Sequence, residues 1–435
     1  MELRSRLLGL WVGVLVAVLA SSLSLSLSPS AHAAVPEAEL RTEILLMTMG
    51  PGDSLYAQGG HAALMVAQMR GEQMVHSDVY NFGDTEWGDP SVPWKFIAGT
   101  LEFRLDRPGD MYDVAENYGL RQNRDVYLQK LALTRAQAEE VATRLEVTLA
   151  PDRRNYTYHY VEAICTTKIR DLLDEVLGGS IREQLQPRVD ELTTRDYEQI
   201  SFTGYPLAGL GADLLMGRRN DTPIDQYYSL FYPDNMRVHL EEVMVPDPSG
   251  SGSLVPLASA PEMIAGRQGP PPGMGRTFGS WWVFGPLALL LAALARSVVL
   301  AESGSTRQVR ALGRWLLLWV VICGVLSIVV GAVMAITPVP HFIENELILT
   351  FVPLDLWLLW PAVGLVRGRE RMIGAVRRYA TVRMVLAVAV LGARIPGWLY
   401  QEPLLLPLFV LGGYAALVYL LFRVTPNFAR ATDTA

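Results

Sequence analysis

At 435 residues, half of them hydrophobic, and with a mean hydropathy of +0.22, the chain is too apolar to be one soluble domain. A formal net charge of −7, with no block of lysine and arginine, argues against nucleic acid as a partner. There are two cysteines, Cys165 and Cys323. Cys323 sits in a long apolar run, so Cys165 has no evident disulfide partner within the chain.

Residues 1–33 read as a signal peptide: Arg4 and Arg6, an apolar core from Leu7 to Ala20, then Ala31-His32-Ala33 as the small-x-small cleavage pattern. Cleaved, or retained as an anchor, it puts residues 34 onward outside the plasma membrane. Residues 34–245 are long enough for a core of their own. Thr42–Gly50 reads as a strand, and Gly50-Pro51-Gly52-Asp53 as a turn. LYAQGGHAALMVAQM and MVHSDVYNFG, parted by Arg70-Gly71-Glu72-Gln73, read as a β-hairpin. Thr134 with Gln137 has capping-box spacing and opens a helix to about Leu149.

An aromatic-rich strand candidate, NYTYHYV, leads into Cys165. Ile169, Leu172, Leu173 and Val176 then mark the apolar stripe of a helix that Gly178 and Gly179 end. Cys165 is thus expected at a helix N-terminus, where free N–H groups push a thiol toward thiolate. DYEQISF and MRVHLEEVMV are strand candidates, and GLGADLLMGRRN is a helix or loop.

Residues 246–276, rich in Pro, Gly and Ser, read as a linker. In residues 277–435, about five apolar segments follow, near 281–300, 315–336, 347–366, 380–399 and 404–422, each of spanning length. Arg307, Arg310 and Arg314 lie before the second; Arg367, Arg369, Arg371, Arg377 and Arg378 lie before or at the start of the fourth. The loops 337–346 and 397–403 hold no Lys or Arg. The arginine-rich loops are therefore expected inside and the N-terminal domain outside. Arg383 and Arg394, within the fourth segment, are expected to snorkel or to face other helices.

A nucleophilic cysteine needs a base and a group to orient it. Among the histidines, His32 falls in the signal peptide, and His239 has no motif around it. His159 lies six residues before Cys165. His61 has the best context, with Gly59-Gly60 beside it and a hairpin behind it. If the turn centres near Gly71, paired numbers sum to about 142, and His61 faces Asn81 on one side of the sheet. Tyr80, Asp78 and His76 remain alternatives as the third group. Cys and His lack zinc-ligand spacing, so neither metal nor cofactor is expected.

The stretches GPGDSLYAQGGHAALMV, DVYNFG, FIAGTLEFRL and NYTYHYVEAICTTKIRDLLD resemble the N-terminal periplasmic domain of Lnb-type bacterial lipoprotein N-acyltransferases. TTRDY, FYPDNM and TPVPHFIENELILTFVPLD continue the likeness into the membrane part. Two positions depart from the family's pattern: Ile164 stands where Asn usually precedes the cysteine, and Gly59-Gly60 where an aromatic usually precedes Gly-His. The resemblance implies an α+β, permuted papain-like extracytoplasmic domain, as in lecithin:retinol acyltransferase, followed by an all-α bundle of about five transmembrane helices. It also implies an acyltransferase with Cys165 as nucleophile and His61 as base. The acyl donor would be a phospholipid, and the acceptor the N-terminal amine of a lipid-modified lipoprotein cysteine. His341, Glu344 and Asn345, in the outer loop 337–346, are expected either to meet a head group or the amine, or to be a hydrated loop. A membrane-anchored thiol hydrolase and a non-enzymatic envelope assembly module are the alternatives.

Overall fold

The computed structural model describes residues 40–270, 279–301, 305–402 and 404–432; the signal peptide lies outside them. Alternating and near-continuous apolar stretches form a seven-stranded antiparallel sheet. Its strands are β1 (Leu40–Met49), β2 (His61–Arg70), β3 (Gln73–Asp84), β4 (Glu102–Gly109), β5 (Val126–Lys130), β6 (Asn155–Thr157) and β7 (Glu262–Ala265), in the order β7-β5-β1-β2-β3-β4-β6. β1 and β2 are apolar on both faces because both faces are covered. On one side Ile44, Leu46, Leu64 and Tyr80 pack under Val141, Leu145, Ile169 and Leu173. On the other, Met47, Met65 and Val79 pack with Val114 and Tyr118.

The helices of this domain that bear on the site and its docking are α1 (Val92–Ile97), α2 (Arg135–Leu149), α3 (Cys165–Val176), α4 (Thr194–Ser201), α5 (Pro206–Leu215) and α6 (Pro233–His239). α2 opens on the expected capping box, Thr134 with Gln137. Two strand candidates prove to be helices. DYEQISF lies mostly in α4 because Thr193 and Asp196 cap it reciprocally. Most of MRVHLEEVMV belongs to α6 and the turn after it, since Pro233 at the first helical position presets the helical φ. GLGADLLMGRRN resolves as the end of α5 and a 3₁₀ turn, Arg218–Asp221.

The stretch read as a linker is largely folded. Leu254–Pro256 pairs with Met244–Pro246, and β7 is the outermost strand of the main sheet. Its prolines and glycines mark turns between paired segments. Residues 271–278 fall outside the described ones.

The C-terminal region is helical: α7 (Gly279–Ala301), α8 (Thr306–Ile336), two 3₁₀ turns leading into α9 (Leu359–Val366), α10 (Met372–Ala393) and α11 (Leu405–Thr432). Thr306–Ile336 and Glu346–Val366 are long and apolar enough to cross a membrane, while Gly285–Ala301 and Leu405–Val418 are shorter apolar helices. Leu294, Leu316, Trp319, Leu365, Val376 and Tyr414 meet in its core. Arg383 does not snorkel: its guanidinium is buried and pairs with Asp355 (2.6 and 3.1 Å) and the Thr350 carbonyl (2.8 Å). A charge there is tolerated because it is paired and faces helices.

The two regions are docked through the loop between α8 and α9. His341 is buried, its Nδ1 2.8 Å from Asn220 Oδ1 and its ring 5.3 Å from that of Tyr160. Asn345 donates to the Leu214 carbonyl (2.7 Å), and Glu344 pairs with Arg218 (3.0 Å). These three side chains are thus occupied in an inter-domain contact and do not form a free hydrated loop.

Candidate active site

Cys165 is the first residue of α3, and the residue before it, Ile164, has no side-chain acceptor to cap the helix. Thr167 compensates at one position only, its hydroxyl accepting from the Ile164 N–H (2.9 Å). The next backbone N–H groups stay available, and those of Thr166 and Cys165 itself, with that of Ala62 from β2, approach the sulfur. Ala62 directly follows His61, so the sulfur sits against the start of the histidine strand.

Gly59 and Gly60 turn the chain into that strand. Gly60 has φ +82, and a Cβ there would meet the Met49 carbonyl at 3.0 Å. Such a position favours glycine. His61 Nε2 lies 2.6 Å from Asn81 Oδ1. That oxygen also accepts the backbone N–H of Gly83 (2.9 Å), a group that can only donate. The amide orientation is thereby set, Nε2 carries the proton, and Nδ1 keeps its lone pair in the neutral ring.

The expected register is two residues short. Beside the turn Arg70 pairs with Gln73, a sum of 143, and a bulge between Gln68 and Met69 adds one more, so that Leu64 pairs with Tyr80 and paired numbers sum to 144. Even parity survives, so His61 and Asn81 still share a face, diagonally across the hairpin. Gly83 takes the place opposite His61: a Cβ on it would lie 2.5 Å from the imidazole Cε1.

The alternatives for the third group lie elsewhere. Tyr80 points to the other face and donates to Glu146, as strand alternation requires. His76 and Asp78 bond to each other (3.1 Å). His159 is turned toward Glu162 (3.4 Å) and the His341 ring (6.4 Å). His239 ends α6, near Glu242.

Three residues near the site had no motif to announce them. The Tyr118 ring stacks on His61 at 5.6 Å. It lies in the π-helical turn Glu116–Arg121. The buried Arg124 lies over Tyr118 (5.0 Å) and donates to the carbonyls of Gly50 (2.7 Å) and Met49 (3.3 Å). Among the described residues no carboxylate pairs with it, so its charge acts on the site. Glu198, on α4, accepts from the Tyr160 hydroxyl, and burial raises its carboxyl to about 7.

Burial lowers the His61 imidazole to about 4, and the Arg124 charge pushes the same way, against the Asn81 bond. Burial likewise raises the Cys165 thiol above its ordinary range. The N–H groups of Ala62 and Thr166 and the Arg124 charge pull it back without winning. The expected thiolate is therefore corrected to a neutral thiol near a neutral imidazole, because desolvation outweighs the helix terminus.

The Cys165 sulfur thus meets the N–H of the residue that follows His61, in a domain docked on a helical region with two helices long and apolar enough to cross a membrane. Residues 38–200 match the family model of the Lnb N-terminal periplasmic domain, and the chain is of the Lnb type over that domain. No curated protein and no solved structure matches it.

Proposed function

We propose that the chain is a lipoprotein N-acyltransferase working through a Cys165 thioester at the outer face of the plasma membrane. The observation that carries this reading is the Asn81–His61 bond, which leaves Nδ1 as a free base beside the helix that presents the sulfur. In the first step Nδ1 takes the thiol proton as sulfur attacks an ester carbonyl of a phospholipid. The C–O bond breaks, and the proton passes to the leaving alkoxide. In the second step the N-terminal amine of a lipid-modified lipoprotein attacks the thioester. The C–S bond breaks, and the amine proton returns through His61 to the thiolate. N–H groups of Ala62 and Thr166, aimed at the sulfur, are placed to stabilise the oxyanion.

A cysteine helix packed on an antiparallel sheet, with the histidine strand earlier in the chain, supports the permuted papain-like fold. Membrane placement of the bundle is supported by the outward apolar faces of α8 (Val321, Val325, Ile328) and α10 (Val382, Val385, Val388), and about five spans are part of the proposal. The C-terminal bundle holds the site against the bilayer that carries both substrates.

The test is intact-mass analysis of the full chain in lipid nanodiscs. Phospholipid alone should add one acyl chain to Cys165, and a diacylated lipopeptide with a free amine should discharge it faster than water does. Cys165→Ser and His61→Ala should abolish or strongly reduce acylation. Acylation only when lipopeptide is present would put the donor ester on the acceptor. Discharge to water at the same rate would make the chain a hydrolase, and transfer by Cys165→Ser would sink the covalent route.

A further inference from the structure

α5 has no role in the cysteine chemistry, yet it touches both halves of the molecule. Leu210 and Leu214 pack with Leu290, Leu294 and the rest of the bundle core. Ala212 and Leu215 pack with Tyr160, Phe231 and Phe342 on the side of the catalytic domain. Gly209 meets Gln199 of α4 at 3.1 Å from its would-be Cβ. One edge remains uncovered: Leu207 is 72% exposed, and a Cβ added at Gly211, one turn on, would meet nothing within 4 Å.

That edge does not stand alone. The Tyr205 hydroxyl donates to the Asp53 carbonyl, joining the start of α5 to the loop that runs into His61. The exposed Tyr56 of that loop lies against the exposed Trp87 with its ring tilted (4.6 Å), and Trp87 meets Phe103 (5.5 Å). Ile200, exposed at the end of α4, neighbours Ser201, whose hydroxyl lies 3.7 Å from a would-be Cβ on Gly59. Trp94, on α1, is 58% exposed, and α1 is followed by Gly99, which packs against Pro338 and Val339 of the loop joining α8 to α9. Large apolar side chains therefore surround the segment that leads to His61, on elements that adjoin the bundle. Monomeric soluble surfaces rarely gather such groups.

We propose that Tyr56, Trp87, Trp94, Ile200 and Leu207 form an interfacial surface that dips into the outer leaflet, with α5 lying along the head-group boundary. The occupant is lipid rather than a protein, because this surface continues the outer face of the bundle. Leu210 and Leu214, on the same short helix, are already packed against α7 and α8. Aromatic and aliphatic side chains at that depth hold an amphipathic element at a bilayer surface. The mouth of the Cys165 site then opens at the level of ester carbonyls, and an acyl chain enters sideways without leaving the membrane. The inference rests on the membrane placement within the proposed function and is independent of the thioester.

The test reads depth rather than activity. Single cysteines are introduced into the full chain carrying Cys165→Ala and Cys323→Ala, labelled with bimane, and the protein is reconstituted in vesicles. Quenching by lipid bearing a doxyl group at carbon 5 is compared with quenching by aqueous iodide. Val325→Cys, on the outward face of α8, reports the membrane placement itself. Val75→Cys, exposed at the far end of the hairpin, about 27 Å from His61 by strand rise, reports the aqueous side. Leu207→Cys and Ile200→Cys should show a lipid-to-iodide quenching ratio at least about fivefold above that of Val75→Cys, as expected for side chains sunk to the head-group boundary. Lipid quenching at Val325 but not at residues 200 and 207 overturns the interfacial surface alone. Loss of lipid quenching at Val325 overturns the membrane placement and this inference with it. Protection of Leu207→Cys from both quenchers would mean that protein covers the edge, which also overturns it.

Discussion

Arg124 gives the site a buried positive charge that the helix start alone does not supply. It lowers both His61 and Cys165, so removing it should raise both. In the intact protein His61 stays neutral, and so a competent base, until pH falls toward about 4. The acid limb of kcat/KM should therefore lie near pH 4. With Arg124→Gln that limb should move to higher pH, and the pH profile of Cys165 alkylation by iodoacetamide should move up by about one unit, or about 1.4 kcal/mol. A lower rate with an unmoved profile would assign Arg124 to structure only. Gly83 tests the imidazole from its other side. A methyl group there would strike a ring held by Asn81 on one edge and stacked on Tyr118. Gly83→Ala should cost about a hundredfold in acyl transfer, the scale of a mispositioned catalytic group, while thermal unfolding shifts little. The His61–Asn81 pair was legible because the turn and the one-residue bulge each move the register by one, and a total shift of two keeps both side chains on one face. Arg124 was not. It follows a π-helical turn and Asn123 at φ +50, and no periodicity distinguishes it from Arg121.

Among the elements, the turn His159–Ala163 links the nucleophile to the membrane half. Val161, within it, is buried with φ +67, a left-handed conformation that a β-branched residue adopts only under constraint. The constraint is packing: Tyr160 and Val161 sit in one cluster with Phe342, whose ring lies 5.9 Å from Tyr160 and 5.5 Å from Phe96. Phe342→Ala should cost about 3–5 kcal/mol locally, as buried aromatic deletions do. Cys165 should then alkylate faster as its loop loosens, while acyl transfer falls and the bundle still inserts. Unchanged alkylation and transfer would show that the loop between α8 and α9 merely abuts the catalytic domain. The same comparison explains why α4 and α6 were misread from the sequence. DYEQISF alternates like a strand, and only the cap at Thr193 and the proline at residue 233 decide for helix.

For the whole molecule, arginine placement and docking agree on topology. Arginines cluster around residues 307–314 and 367–378 and are absent from 337–346, while His341 and Asn345 of that last loop bond to Asn220 and Leu214 of the N-terminal domain. Reporters fused after residues 308 and 372 should thus read as cytoplasmic, and one fused after residue 342 as external. A cytoplasmic signal at 342 would contradict the docking itself. The number of spans was less legible. Arg377, Arg378 and Arg383 dilute the hydropathy of α10, and Asp355 with its 3₁₀ turn interrupts the helix before α9.

The last strand of the sheet, β7, is made only after the rest of the domain and just before the first bundle helix. Arg267, immediately beyond it, donates to Asp53, Asp125 and the Asn123 carbonyl, on either side of Arg124. A chain cut after residue 245, where composition suggests the domain ends, would expose the edge of β5 and release the segment that carries Arg124. Such a fragment should self-associate through its bare strand, whereas one ending after residue 270 should stay monomeric by size-exclusion chromatography. In the cell, an exported domain of this design stays incomplete at one edge until its own membrane anchor begins to emerge.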